Sequence, residues 1–153
     1  MNRPFLTGAV SLASVLLAVT ACGGRASPAK QQARTADAFV RRITVQFSRG
    51  QSGRLWDSLL PSDQRIVSRA RFVACQAGTG WNLKSLKVLD TYGDSVAVGG
   101  NTIPAEAVSV RATSDDGTTT ATMHAVLVKG TWRWLLQPSD RQSYAAGTCP
   151  RSG

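Results

Sequence analysis

Between residues 108 and 136 apolar and polar residues alternate so regularly that two short turns set the register of three strands. Read as a two-residue hairpin turn, Lys129-Gly130 places Leu127 opposite Trp132, Ala125 opposite Trp134 and Met123 opposite Leu136. Read as a four-residue loop, Ser114 to Gly117 places Val108, Val110 and Ala112 opposite Met123, Ala121 and Thr119. Together these turns put Val108, Val110, Ala112, Ala121, Met123, Ala125, Leu127, Trp132, Trp134 and Leu136 on one face. Ser109, Arg111, Thr113, Thr118, Thr120, Thr122, His124 and Arg133 take the other, with Val126 and Leu135 as apolar exceptions. A slip of one residue at either turn would turn a whole strand's apolar set to water, so an antiparallel meander with one buried face is predicted. A fourth strand over 85–92 is expected to join it, closed by a turn at Gly93-Asp94, with further turns at Gly99-Gly100-Asn101 and Asp115-Asp116-Gly117.

Ahead of the strands the apolar period changes from two to 3.6. Ser27 and Pro28 read as an N-cap with proline in the first turn. Over 29–49, Ala36, Phe39, Val40, Ile43 and Phe47 then fall on one face of a helix, ended by Gly50 and Gly53. Residues 55–60 form a helical turn closed by Pro61. Ser62 is expected to cap a further helix through Ile66, Val67 and Ala70, ending at Phe72-Val73-Ala74-Cys75. Helices first and antiparallel strands after define an α+β domain, with N-terminal helices packed on one face of a curved sheet of about four strands. That single domain is expected over 29–137, with 138–153 as a C-terminal tail. A chain of 153 residues leaves no room for a second.

The helix with Ala38-Phe39-Val40, the Leu59-Leu60-Pro61 step, the run 68–75 and the closing strand 130–136 resemble the nuclear-transport-factor-two-like (cystatin-like) superfamily. More narrowly they resemble small actinobacterial lipoproteins of that type, which suits fourteen Arg against four Lys. The resemblance covers about 29–137 and implies a cone of sheet and helices that often encloses a pocket. It also implies that some relatives are isomerases, dehydratases or hydrolases with paired carboxylates, Asp-His or Tyr-Asp pairs in that pocket.

The first residues are not part of that domain. Arg3 precedes an uncharged apolar run from Leu6 to Ala21, shorter than the ~20 residues of a membrane span but suited to a secretory signal. The run ends Val19-Thr20-Ala21-Cys22, which resembles the bacterial lipobox. The resemblance implies a signal over 1–21, cleavage before Cys22, and a diacylglycerol on the Cys22 thiol. Residues 22–28 would be the lipidated cysteine and a flexible tether. The protein would then sit on the extracytoplasmic face of the cell membrane, and two acyl chains, at ~0.8 kcal/mol per buried methylene, would hold it stably. With Cys22 so engaged, Cys75 and Cys149 remain, and an oxidising compartment favours their disulfide.

Catalytic signatures are missing from the sequence. His124, the one histidine, faces away from the helices in the meander register, where a pocket histidine should point inward. Asp57 and Asp63 lie near helix ends, where they favour the dipole. Asp90 and Asp94 flank a turn, and Asp115-Asp116-Gly117 is a turn signature. One histidine rules out a Cys2His2 zinc set, so no metal is expected, and the chain carries no phosphate loop or dinucleotide fingerprint, so no cofactor is. Trp132 and Trp134 are assigned to the core; Trp56 and Trp81 are assigned to a core edge, the alternative being the rim of a pocket opening. The function expected is a non-enzymatic binding or scaffolding role at the membrane surface; the alternative is a pocket enzyme or small-ligand carrier of the same fold. Inward-facing polar residues around a cavity would separate the two.

Charge points to a partner. From Cys22 onward the chain carries a net +8, with +7 of it before residue 75 and +1 after. Lys30, Arg34, Arg41, Arg42 and Arg49 project opposite the Phe39/Ile43/Phe47 face of the first helix. In an exported, membrane-tethered protein this basic side suits anionic lipid or an anionic wall polymer, or an envelope protein, and not nucleic acid.

Overall fold

The structure, a computed structural model, describes residues 28–150. The expected signal, Cys22 and the tether through residue 27 lie outside the described residues. Pro28 opens α1 (Pro28–Ser48), and the predicted stripe is what it buries: Ala36, Phe39, Val40 and Ile43 are all 3 % exposed or less. Gly50 ends the helix in the left-handed region (φ 62°), its N–H donating to the Phe47 carbonyl at 3.0 Å. Gly80 packs against this turn so closely that a Cβ there would meet Gly50 N and Ser48 O at 3.3 Å. Gly53 does not take part in the ending; it lies inside α2 (Ser52–Asp57).

The helix expected from Ser62 to Cys75 is two helices, α3 (Pro61–Ile66) and α4 (Arg69–Cys75). Val67 breaks them apart in an extended conformation that buries its side chain to 1 % exposure, a gain a continuous helix would forgo. Ser68, and not Ser62, is the capping side chain, accepting from the Arg71 N–H; α3 instead starts on Pro61, whose missing N–H costs a helix nothing at its first position.

Four strands follow: β1 (Ser85–Val98), β2 (Asn101–Ser114), β3 (Gly117–Val128) and β4 (Thr131–Trp134). They form one antiparallel sheet in the order β1-β2-β3-β4. The expected pairs Val108–Met123, Val110–Ala121, Ala112–Thr119, Leu127–Trp132 and Ala125–Trp134 are all present. Ser114 pairs with Gly117, so the β2–β3 turn has two residues and not four, which leaves the register unchanged. Lys129 and Gly130 both take positive φ (48° and 77°), as a tight hairpin requires. Two expectations fail. Gly93-Asp94 is no turn, because both residues sit in the β1–β2 ladder opposite Glu106 and Ala105, and the strand turns only at Gly99-Gly100. Met123 has no ladder partner in Leu136, because β4 ends at Trp134 and the Leu136 N–H goes to Asp63 Oδ2 at 2.8 Å.

The main core lies between α1 and the sheet, where Leu55, Leu59, Val67 and Phe72 from the short helices join Val108, Val110, Ala125, Trp134 and Leu136. Trp134 packs edge-on against Phe47 and Phe72, with ring centroids 5.2 and 6.2 Å away. The final helix, α5 (Pro138–Ala145), adds Tyr144, buried with its ring 6.0 Å from that of Phe72. Cys75 and Cys149 are disulfide-bonded, their Cα atoms 5.3 Å apart, so the end of the chain is tied to the end of α4. Leu59 makes a parallel bridge to Trp134, and the Leu60 N–H donates to the Trp134 carbonyl at 2.8 Å, which covers the open edge of β4. The two apolar exceptions of the meander find a use on the opposite face. Val126 is buried with Leu60 and Ala105, and Leu135 packs against them.

Candidate functional site: a cleft between the first helix and the sheet

The layer between α1 and the sheet is full on the β4 side and open on the side of the β2–β3 turn. There Ala112, Thr119 and Ala121 present short side chains, and among the described residues no helix besides α1 contributes to the lining; the result is a cleft of about 530 Å³. Thr44 and Phe47 line it from α1 and Met123 from β3, and Trp81 lines it from the segment beyond the short helices. Trp81 is fixed there because its N–H donates to the Ser48 carbonyl at 2.9 Å, satisfying an otherwise orphan group at the end of α1. Trp81 therefore lines a cavity, the alternative to the core-edge place expected of it. Trp56, by contrast, donates its indole N–H to the Val67 carbonyl at 2.9 Å and does close a core edge.

The rim is polar: Ser114, Asp116 and Thr119. Its turn is clamped from outside, where Lys84 pairs with Asp115 and Asn82 Nδ2 donates to the same carboxylate at 2.8 Å. Those two contacts, Lys84 first, hold the Asp115 carboxyl below the usual carboxylate range. The Thr44 hydroxyl is satisfied within the helix, donating to the Val40 carbonyl at 2.9 Å, and so leaves the cavity wall largely apolar. Asp116 is the one titratable side chain among the described residues that line the cleft. The arrangement offers an apolar body a place against Phe47, Trp81 and Met123, with a hydroxyl or cationic group at the rim beside Asp116.

The other singled-out residues do not converge on this cleft. His124 lies on the opposite sheet face, as its register predicted, with Nε2 2.9 Å from Asp94 Oδ2. The Ser95 N–H, and after it His124, keep the Asp94 carboxyl below its ordinary value. Arg34, Arg41 and Arg42 are exposed on α1, and Arg49, expected on the same helix, is exposed in the turn just past its end at Ser48. Arg41 Nη1 donates to the Leu86 carbonyl at 3.2 Å, and the Arg42 guanidinium lies over the Phe39 ring at 5.3 Å. Lys30 belongs to α1, but its side chain, like Cys22, is outside the described residues. No three metal-ligating side chains gather among the described residues, and none of their helices is long and apolar enough to cross a membrane.

One constellation was not legible beforehand. Asp63, read as a helix-end charge, is 0 % exposed and accepts from Arg141 Nε at 2.8 Å, Arg141 Nη2 at 3.3 Å and the Leu136 N–H. Arg141 also donates to the Ala97 carbonyl at 3.1 Å. The pair stands 78 residues apart in sequence, and no local pattern marks either member. Comparison with known protein families and with curated proteins finds no match for this chain.

Proposed function

We propose that this is a lipid-anchored envelope domain with a cystatin-like cone, which binds a small, largely apolar ligand in the cleft between α1 and the sheet. The observation that carries the reading is the cavity of about 530 Å³, apolar in its floor and polar at its rim, within the size range of small-molecule sites. Inward-facing polar groups around a cavity were the feature that would separate a pocket enzyme or small-ligand carrier from a scaffold; the meander pattern offered only Thr119, and Ser114 and Asp116 join it at the rim, which supports a pocket. With Asp116 the one titratable side chain among the described residues of the lining, the reading is carriage or sensing of the ligand. The lipobox resemblance at Cys22 and the disulfide both suit an extracytoplasmic site. The exposed arginines of α1 add a second reading for the same anchored domain: attraction of its N-terminal half to an anionic surface.

The test has two arms. Intact mass of the membrane-extracted protein should show an acylated Cys22, and Cys22→Ser should leave the membrane fraction or stay unprocessed. The neutral probe N-phenyl-1-naphthylamine should fluoresce when added to the protein, and Ala121→Leu, which fills the cleft from its exposed wall, should abolish that signal. Equal fluorescence in both proteins would remove the cleft as the binding site.

A further inference from the structure

The two hairpin turns Gly99-Gly100 and Lys129-Gly130 lie at one end of the sheet, and the β2–β3 turn lies at the other. The start of α1 belongs to the first of these ends. Gln32, four residues into the helix, lines a groove of about 550 Å³ together with Pro104, Leu127, Lys129 and Trp132. The groove is apolar and open: Leu127 is 45 % exposed although the meander register assigns it to the buried face, and Trp132 is half-buried. Among the described residues α1 begins here and no other helix continues over the strand ends, which leaves Leu127 exposed. Glu106 is the one acidic side chain in the lining, against the cation of Lys129 at the turn.

We infer that this end of the sheet is a membrane-docking edge, in which Leu127 and Trp132 enter the interfacial layer of the bilayer and Lys129 meets lipid phosphate. The inference rests on the proposed anchoring at Cys22. Six residue steps separate Cys22 from Pro28, at most ~21 Å of extended chain, and Gln32 stands only ~6 Å further along the helix. The anchor therefore keeps this end of the domain within ~21 Å of the bilayer, nearer on average than the cleft end. A half-buried Trp beside an exposed Leu and a Lys is the composition that partitions to that layer, with the ring at headgroup depth and the cation at the phosphates. Such docking also sets the tilt of α1. Arg34 comes within reach of headgroups, while Arg49 lies ~22 Å further on, just past the helix end and well beyond the ~8 Å Debye length. The cleft mouth at Trp81 and Asp116 then faces away from the membrane, open to a ligand arriving from the aqueous side.

The full-length chain, purified from bacterial membranes with its acyl groups confirmed by intact mass, is reconstituted into phosphatidylcholine–phosphatidylglycerol vesicles containing a brominated phospholipid. Bromine quenches tryptophan only at contact range. Wild-type fluorescence should be quenched, and Trp132→Phe should lose most of the quenched component. Leu127→Glu, at a site exposed enough to leave the fold intact, should lose it too while the acylated protein stays on the vesicles. Quenching that is absent, or equal in all three proteins, on vesicles that carry acylated protein overturns the docking edge alone. A protein whose mass shows no acyl group overturns the anchoring reading, and the docking edge with it.

Discussion

The layer between α1 and the sheet has a closed side and an open side, built from the same two elements. On the closed side Leu55, Leu59, Phe72, Trp134 and Tyr144 are all 6 % exposed or less, and the aromatic rings meet edge to face. On the open side Ala112, Thr119 and Ala121 continue the same strands and leave the cleft. The strands that line it do not cause the difference, because β2 and β3 keep one register from Glu106–Ala125 to Ser114–Gly117. The cause is which segments reach back: α2, α4 and α5, with Leu59 and Val67 on either side of α3, deliver bulk to the β4 side. Among the described residues Trp81 is the one large side chain from outside α1 and the sheet that lines the open side, and Asn82 and Lys84 hold the β2–β3 turn only from outside. Stability is thus concentrated where the chain's distant segments converge, which leaves the other side free to stay open for binding.

Breaking the convergence should cost most. The Cys75–Cys149 bond closes a loop of 74 residues, for which chain entropy gives ~4–5 kcal/mol. The double variant Cys75→Ser/Cys149→Ser should show that loss in urea unfolding, and should free α5 for rapid amide exchange. A loss below ~1 kcal/mol would mean that α5 is held by its packing alone.

The Asp63–Arg141 pair is the second test of the closed side. Asp63→Asn leaves a guanidinium only 17 % exposed without its counter-charge, and breaking such a pair costs ~3–5 kcal/mol. Chemical denaturation of the variant should read that loss. Ala121→Leu on the open side should move stability by no more than ~0.5 kcal/mol while it removes probe binding. That contrast is what divides the molecule into a stabilising side and a binding side; equal costs on both sides would erase the division.

The smallest effect is expected on the outer sheet face, where Asp94 and His124 pair in partial contact with solvent. The folded Asp94 carboxyl titrates below its ordinary value of 3.8, chiefly through the Ser95 N–H. The fold thus binds that proton less readily than the unfolded chain does. The resulting stability is present above the ordinary value and is lost as pH falls through the lowered one. Asp94→Asn should flatten the acid limb of the urea midpoint as pH falls through and below the ordinary 3.8 and leave the neutral region nearly unchanged. An acid limb as steep as the wild type's would place its origin in another carboxyl.

Much of this architecture is legible in the residues themselves. The period of α1, the turn chemistry of Lys129-Gly130 and the alternation from Val108 to Trp134 are local signals, and each survives in the fold because tertiary packing rewards the same side chains. The places where reading from sequence fails are those where a distant group competes. Val67 leaves the helical pattern for a place in the core, and β4 stops short of Leu136 because Asp63 takes its N–H. β1 runs through Gly93-Asp94 because β2 offers a full ladder opposite. The cleft was illegible for the same reason. Its floor residues were all assigned to the correct face, but whether a face is filled or open depends on which helices arrive over it.

By itself, then, the sequence determined the α+β class, the strand register and the two faces of the sheet, because periods of 2 and 3.6 residues are properties of consecutive positions. It also carried the export and lipobox pattern on which the anchoring proposal rests. Only the tertiary structure decided that Trp81 lines a cavity, that Asp63 meets Arg141, and that Leu127 stays exposed at the end where α1 begins. Those outcomes depend on where elements far apart in the chain come to rest against one another, and nothing local in the sequence encodes that distance.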